Sequence, residues 1–500
     1  MSASQSADTF EATLAEYVFE RSEEGRAVRV GEKETSEQAA IVARYAELFT
    51  RTTLADLTSS AAEGEECERL ERLKEACLGG LLAQELAEMS DALENALIAT
   101  ELEFDGESMP LRTGQAELAV RDSYAERAEL GEAVAQASEQ HNDARFELLE
   151  RAETLEAELT GESDPIARSA TLKQIDLHVV SDAVRQASDA VTVAYRRRGE
   201  RHLDSLLGAE REDEPSSAHV PYIRRLSPLA DTYSKERAVE VCLQTLTGLG
   251  FDLAADSRIK LDLEDRPQKN PRACVIASRP PDVVHLITRA QGGLADYEAF
   301  LHEAGHALHY AGCDPSLPYT FRRLARDHAL TEIYAFLVES VTREPEWHMH
   351  HFGLDEATAR RNADMGFMIE TLLFRRYAAK LESELRFWSD LGTAREHGPI
   401  YSELVSAASG FRYPPSAYLA DMDGGFYTAD YLRAWVRAAQ VRASLREQVG
   451  ADWWCNAASG EFLRDLFREG TQPSNEDIGA RLGFGALDTG PLVTELKAEL

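Results

Sequence analysis

Hydrophobic residues recur at intervals of three and four along most of this chain, which is the spacing of amphipathic helices. The pattern is clear from about residue 8 to 207, as in the run from Cys77 to Ala99, and it returns from Ser234 to Leu249 and from about Leu354 onward. We therefore expect a mainly α-helical protein.

An acidic stretch that contains serine and proline, Gly208–Tyr222, interrupts the helical pattern and has the composition of a connecting segment. Five hundred residues exceed what one hydrophobic core usually serves. We therefore predict two lobes, an N-terminal helical lobe over 1–215 and a second lobe over 216–500.

Two short runs rich in β-branched residues, Ala273–Ser278 and Val283–Thr288, flank the turn RPPD and are the only strands that we predict. The run from Val283 to Arg289 leads into Gly292 and Gly293. It is expected to be either an exposed sheet edge, to which an extended peptide adds as a further strand, or an ordinary buried strand. In the first case Gly292 and Gly293 contact the bound peptide.

A helix follows these glycines, with Asp296 as its predicted N-cap and Gly312 as its end. It carries His302, Glu303 and His306 in the pattern HExxH. Residues four apart lie on one helical face, so both imidazoles can reach one cation. Catalytic zinc typically has three protein ligands and an open fourth position, so a third ligand has to come from elsewhere.

The third-ligand candidate is Glu332, 26 residues after His306 on a second predicted helix from about Tyr319 to Thr342. Residues predicted to share one face of that helix are Phe321, Ala325, His328, Glu332, Ala335 and Glu339. Glu339 is expected either to accept a hydrogen bond from a metal-bound histidine or to form a plain surface salt bridge. The extended pattern HExxHxxGxxH is not met, because the chain has His309 and Gly312 where that pattern has glycine and histidine.

The other histidines near the motif are weaker candidates. His309 and His328 are close to the site by spacing, and the cluster His348, His350 and His351 follows a helix end and is expected to be exposed to solvent.

Further along, the run Gly425–Tyr431 places Tyr427 and Tyr431 four residues apart on one helical face. Phenol hydroxyls can donate hydrogen bonds to a developing oxyanion, although two aromatic residues at this spacing also suit a hydrophobic core.

Composition narrows the class of protein. The net charge of −35 disfavours nucleic acid or an anionic membrane as a partner. Six cysteines lack CxxC spacing, and no signal peptide or apolar run of membrane-spanning length is found. We therefore expect a cytoplasmic protein with reduced thiols; the oligomeric state is left open.

The segments GGLADYEAFLHEAGHALHY, LTEIYAFLVES and GGFYTADYLRAW resemble the M3 family of zinc metallopeptidases, the thimet oligopeptidase and oligopeptidase F group. The resemblance covers roughly Ala273 to the C-terminus. It implies a two-lobed helical zincin-type fold, with a small β-sheet beside the HExxH helix, a deep substrate channel, and metal-binding helices at about 294–343 in a catalytic lobe.

The resemblance also implies roles for individual residues. His302, His306 and Glu332 would bind one Zn²⁺ per chain, with Glu303 as the general base. Tyr427 would be the oxyanion donor and Tyr431 would bind or orient the substrate. Some members of that family have a histidine just upstream of the tyrosine segment. This chain reads Asp421, Met422 and Asp423 there, so the substrate preference stays open.

The expected activity is hydrolysis of internal peptide bonds in oligopeptides. Two alternatives remain at this point: a carboxypeptidase of the HExxH type, which would need a basic group for the substrate's C-terminal carboxylate, and a helical binding protein whose metal is structural or absent.

Overall fold

A computed structural model describes residues 3–33, 35–59, 63–266, 269–270 and 272–499. Over these residues the chain is mainly helical, as predicted, and has two small sheets, of which the one beside the HExxH helix was predicted. No helix among them is both long enough and apolar enough to cross a membrane.

The α-helices of the described residues, in chain order, are α1 (Ala3–Arg29), α2 (Gln38–Arg44), α3 (Arg51–Ser59), α4 (Gly64–Glu85), α5 (Ala87–Ala99), α6 (Leu111–Glu117), α7 (Tyr124–Glu139), α8 (Asn142–Thr160), α9 (Pro165–Lys173), α10 (Leu177–Ala190), α11 (Thr192–Leu207), α12 (Val220–Arg225), α13 (Lys235–Gly248), α14 (Leu294–Gly312), α15 (Tyr319–Arg323), α16 (Ala329–Glu339), α17 (Pro345–Phe352), α18 (Glu356–Ser389), α19 (Gly398–Ser409), α20 (Tyr427–Gln448), α21 (Ala457–Phe467), α22 (Asn475–Arg481) and α23 (Gly490–Lys497).

Among the described residues, five strands form the two sheets. The hairpin β1 (Glu101–Phe104) and β2 (Glu107–Pro110) is antiparallel. The second sheet has the order β3-β5-β4, with β3 (Ile259–Asp262), β4 (Cys274–Arg279) and β5 (Val283–Ile287). Only β4 and β5 were predicted, because β1, β2 and β3 are only four residues long, too short for their pattern to stand out from the surrounding sequence.

The prediction that Val283–Arg289 forms an exposed sheet edge is wrong. Strand β5 lies in the middle of its sheet, pairing in parallel with β3 and antiparallel with β4. Its backbone is therefore already hydrogen-bonded on both sides, and the ordinary buried strand is the correct alternative. Strand β4 is the edge strand on that side of the sheet.

The hydrophobic core has three parts. The main cluster runs from Phe146 to Leu496 and combines helices α8, α10 and α11 with the C-terminal half of the chain. A second cluster joins α1 to α4 and includes Tyr319, and a third packs α6 and α7 against β1. Residues on both sides of residue 215 thus share the main core; the division into lobes at that position stays a prediction.

The predicted continuous helix from Tyr319 to Thr342 is interrupted, since α15 ends at Arg323 and α16 begins at Ala329. The break has tertiary causes. Residues from distant parts of the chain donate hydrogen bonds to backbone carbonyls in and just after α15. Thr471 N donates to Phe321 O at 2.7 Å, and Arg72 Nη1 donates to Leu324 O at 2.8 Å. Phe321 and Ala325 therefore do not share a helical face with Glu332.

Candidate metal centre

The helix that carries the HExxH motif, α14, begins directly after two glycines in the left-handed region, with φ of +99° at Gly292 and +88° at Gly293. A Cβ at Gly293 would lie 2.5 Å from the carbonyl oxygen of Arg225, so the close approach of α12 requires glycine there. The N-cap is Gly293, not the predicted Asp296, which sits in the first turn. Its carboxylate instead accepts hydrogen bonds from the Gln291 and Gly292 amides.

Helices α14 and α16 pack against each other at Gly305, inside the motif. A Cβ at this position would lie 2.4 Å from Tyr334 O and 2.7 Å from Ala335 Cα. The glycine therefore permits the backbones to approach closely enough for a side chain on α16 to reach the two histidines of α14.

That side chain is Glu332, in the first turn of α16. Its Oε2 is 3.4 Å from His302 Nε2 and its Oε1 is 3.7 Å from His306 Nε2. The ligand atoms of the three residues all lie within 4.8 Å of one another. Among the described residues, this is the one group of three histidine, cysteine or acidic side chains with such a geometry.

These three residues fit a zinc ion. Tetrahedral ligands at zinc distances of about 2.0–2.2 Å are roughly 3.4 Å apart, close to the separations observed here. Glu332 Oε2 is buried and accepts no hydrogen bond. Burial of a carboxylate oxygen without a partner is costly, and a cation between the three side chains would provide that partner.

Glu332 is ionised in this environment. Burial alone would raise the pKa of its carboxyl, but the nearby imidazoles of His306 and His302 outweigh burial and lower the pKa to about 2. An anionic oxygen ligand is therefore present over the whole neutral range.

Glu339 Oε2 lies 2.8 Å from His302 Nδ1, the first of the two arrangements expected for Glu339. Burial would lower the pKa of His302, but the neighbouring carboxylates of Glu332 and Glu339 outweigh it and raise the pKa well above its usual value. Donation from Nδ1 to Glu339 leaves Nε2 facing Glu332, the orientation that a metal ligand needs. Arg343 in turn lies 3.6 Å from the other oxygen of Glu339.

Glu303 lies between the two histidines along α14 and is partly exposed. No described residue forms an ion pair or a hydrogen bond with its carboxylate. It is close enough to β4 for its charge to add to the effect of burial on Cys274, whose pKa rises to about 11. A free carboxylate thus borders the candidate ligands on the side of the edge strand.

The two predicted tyrosines lie on the opposite side of the site, in the first turns of α20. Tyr427 donates a hydrogen bond from its hydroxyl to Glu332 Oε1 at 2.7 Å, so in this structure the phenol holds the candidate ligand. Tyr431 packs edge-on against Tyr427, with ring centroids 4.6 Å apart. The catalytic and substrate-binding roles of these tyrosines stay predictions.

A buried charge cluster that sequence reasoning missed anchors α20 beside the site. Lys173 Nζ donates to both oxygens of Asp430, at 2.7 and 2.8 Å, and Arg433 lies 2.6 Å from Asp327 and 3.3 Å from Asp430. The backbone amide of His328 also donates to Asp430. Asp430 lies between the two tyrosines in YTADY, three residues before Arg433, and this acidic residue in the first turn of α20 was the available signal.

The remaining histidines are not ligands of this cluster. His309 is buried, 2.8 Å from the carbonyl oxygen of Gly470, and the exposed His328 ring packs against Tyr427. The expectation of exposure is wrong for His348 and His351, which are buried. Both lie on helix α17, where His348 contacts Tyr233 and His351 contacts Thr245.

Two neighbouring cavities lie between the N-terminal half and helices α18 and α19. The larger, of about 710 Å³, is bordered by α7, α19 and the segment 412–421. The smaller, of about 450 Å³, is bordered by α12, α18 and the first turn of α14. They share Ser217, Arg376 and Tyr413, and so form adjoining parts of one cleft.

Comparison with known proteins gives a fold but not a family. No family model and no curated protein matches this chain. Among solved structures it is similar to the M32 carboxypeptidase from Deinococcus radiodurans R1, with a TM-score of 0.63, 16% identity, and coverage of 99% of this chain and 98% of that chain. At this identity the similarity shows a shared helical fold; membership of the M3 family is not confirmed.

Proposed function

We propose that this protein is a zinc-dependent metallopeptidase in which His302, His306 and Glu332 bind one Zn²⁺ per chain and Glu303 is the general base. The observation that carries the proposal is the convergence of three ligand atoms within 4.8 Å, with one buried Glu332 oxygen lacking a hydrogen bond. The whole-chain similarity of fold to a peptidase supports it.

A zinc ion held here would polarise the carbonyl of a peptide bond and acidify the attacking water. Glu303 is placed one residue after His302, with no competing partner among the described residues, to accept a proton from that water. As the water oxygen bonds to the carbonyl carbon and the C–N bond breaks, Glu303 transfers this proton to the departing amine. Tyr427 would donate its hydroxyl hydrogen to the oxyanion, exchanging Glu332 for the substrate.

Extended backbone for the substrate is available at β4. This edge strand begins at Cys274, beside Glu303. The carbonyl oxygen of Ala277 accepts a hydrogen bond from Arg323 Nε at 3.0 Å. The N-terminal part of the strand is therefore the part that can pair with a bound peptide. Pairing with an edge strand provides main-chain hydrogen bonds independent of the peptide's sequence, as a peptidase acting on varied oligopeptides needs.

Two modes of cleavage follow from different observations. The likeness of the motif segments to oligopeptidases favours cleavage of internal bonds. The similarity of fold over nearly the whole of both chains to a carboxypeptidase favours removal of residues from the C-terminus. We therefore retain carboxypeptidase activity as the second candidate.

The test is digestion of a peptide library by the zinc-loaded protein, with products identified by mass spectrometry. Each peptide is supplied with free ends, with an acetylated N-terminus, and with an amidated C-terminus. An endopeptidase cuts all three forms, whereas a carboxypeptidase spares the amidated one. Addition of a chelator is expected to stop cleavage and re-addition of zinc to restore it; cleavage that survives complete zinc removal contradicts the proposal.

A further inference from the structure

The smaller cavity has an unusual lining for a chain with a net charge of −35. Three arginines, Arg224, Arg225 and Arg376, border it together with Tyr377 and Tyr413, and none of the described residues that line it is acidic. The cavity thus presents positive charge and phenol groups within a volume of about 450 Å³.

The positive charge is only partly compensated from outside the lining. Arg225 pairs with Asp296 at 2.8 Å, yet its buried Nε has no hydrogen-bond partner. Arg376 pairs with Asp421. Arg224 is exposed and forms no ion pair with a described residue. Three arginines therefore line the cavity, and the two carboxylates that form ion pairs with them, Asp296 and Asp421, lie outside its lining.

The cavity is connected to the candidate metal centre along α14. Ala295 lines the cavity and lies seven residues before His302, hence on the same helical face and about 10 Å away along the axis. An extended peptide covers that distance with two or three residues.

A chain of aromatic contacts forms a second connection. The ring of Tyr377, which lines the cavity, is 5.6 Å from that of Tyr431, and Tyr431 packs on Tyr427, the hydrogen-bond donor to Glu332. Packed aromatic side chains thus connect the lining of the cavity with the candidate metal centre.

We propose that this cavity binds a carboxylate of the peptide substrate, with Arg224 as its principal ligand and Arg225 and Arg376 as support. Guanidinium groups match the planar geometry of a carboxylate. The inference rests on the proposed peptidase function and adds to it the class of substrate. The carboxylate is either the C-terminus of the peptide or an acidic side chain two or three residues from the bond that is cut.

The experiment compares Arg224→Gln with wild type, both zinc-loaded and both carrying Glu303→Gln so that bound peptide is not consumed. Arg224 is exposed and forms no ion pair with a described residue, so the substitution is compatible with folding. Arg151→Gln, at an exposed arginine of α8, is the matched control. Calorimetry measures the Kd of two peptide pairs: a free C-terminus against its amide, and two amidated peptides that differ only in glutamate or glutamine.

We expect one carboxylate-bearing peptide to bind about tenfold more tightly than its neutral partner, and Arg224→Gln, but not Arg151→Gln, to remove most of the difference. The pair that shows it identifies the source of the carboxylate. Equal binding within both pairs, or a difference that survives Arg224→Gln, overturns the proposal. Hydrolysis assays with unsubstituted protein separate the two hypotheses: cleavage with no carboxylate preference defeats only the subsite, whereas absence of both cleavage and binding defeats the peptidase function as well.

Discussion

Glu303 is the residue on which the proposed chemistry depends most directly. Glu303→Gln keeps the shape of the side chain and leaves His302, His306 and Glu332 in place, but its amide accepts no proton from water. We expect zinc binding to be retained and kcat to fall by a factor on the order of 10³, within the usual range for loss of an acid–base catalyst. Zinc content by elemental analysis and peptide hydrolysis measure the two effects separately. Turnover at the wild-type rate would remove Glu303 from the mechanism.

Tyr427 has two roles to separate, because its hydroxyl hydrogen-bonds to Glu332 in this structure and is proposed to stabilise the oxyanion during reaction. For Tyr427→Phe we expect kcat to fall about 100-fold, the usual effect of losing one oxyanion donor, with less than tenfold loss of zinc affinity. Steady-state kinetics at saturating zinc, together with a zinc titration, provide both numbers. Weakened zinc binding with normal kcat would assign the hydroxyl to ligand support alone.

Glu339 acts on the metal through His302, so its test is metal affinity. Glu339→Gln removes the charge opposite Nδ1 of His302, and we expect zinc affinity to fall by 10- to 100-fold, as is typical for such carboxylates. Competition with a chromophoric chelator measures the change. Glu346→Gln, an exposed glutamate on α17, is the control and should leave the affinity unchanged. Equal zinc affinities in the two variants would mean that Glu339 does not support metal binding through His302 and forms only a salt bridge.

The grouping of site residues could be predicted where they are local in sequence. His302, Glu303 and His306 lie on one helix with known periodicity, and Glu332 lies on the next long apolar segment. Arg224 could not be found in this way, because it reaches the site only through the packing of α12 on α14. That packing depends on Gly293, which the sequence suggested for a different reason.

At the level of helices, the pair Lys173–Asp430 joins α9 to the start of α20, where Tyr427 and Tyr431 lie. Both side chains are almost fully buried, at 6% and 0% exposure. Lys173→Met leaves the carboxylate without its closest cation, and breaking a buried pair typically costs about 3–5 kcal/mol. Because Arg433 remains nearby, we expect a loss of about 3 kcal/mol in the free energy of unfolding, measured by denaturant titration.

The double variant Lys173→Met, Asp430→Asn should recover part of this loss, since no unpaired charge is then buried. Arg185→Met, which removes an exposed pair with Asp182 on α10, should change stability by less than about 0.5 kcal/mol. If Lys173→Met lowered the free energy of unfolding no more than this control does, the buried pair would not stabilise the fold.

The helices α13 and α14 and the strands β4 and β5 were predictable because each has its own period and end signals. What the sequence did not predict was how these elements pair and pack with distant parts of the chain. The pattern of Val283–Thr288 does not reveal that β3, more than 20 residues upstream, pairs with β5 and converts a predicted edge into a central strand. Likewise, the gap between α15 and α16 is fixed by Arg72 and Thr471, which are distant in sequence.

Across the whole molecule, the N-terminal half contributes to stability and to the site without carrying any of the predicted ligands. Lys173 pairs with Asp430, helices α8, α10 and α11 join the main core, and α7 borders the larger cavity. The sequence predicted this half only as helical, because amphipathic periodicity identifies a buried face but not its partner. Removal of the N-terminal half is therefore expected to disrupt the catalytic half and not to release it as an independent unit.

A second buried cluster joins the two halves and makes this coupling dependent on pH. Asp364 on α18 accepts hydrogen bonds from Arg198 and His202 on α11, and Arg198 also donates to Leu496 O near the C-terminus. Burial alone would raise the pKa of Asp364, but these hydrogen bonds outweigh it and lower the pKa to about 2 from an ordinary value of 3.8. A carboxyl with a lowered pKa contributes stability that is complete above about pH 4 and is lost as the pH falls through about 2.

For this shift we expect Asp364 to contribute roughly 2 to 3 kcal/mol at neutral pH. Acid also relieves the repulsion among the excess carboxylates of the chain, which opposes the effect of Asp364. Comparison of wild type with Asp364→Asn cancels that common contribution. The difference in free energy of unfolding should be full at pH 7, begin to shrink below about pH 4, and approach its minimum near pH 2. A difference in the free energy of unfolding that is independent of pH would mean that ionisation of Asp364 does not stabilise the contact between the two halves.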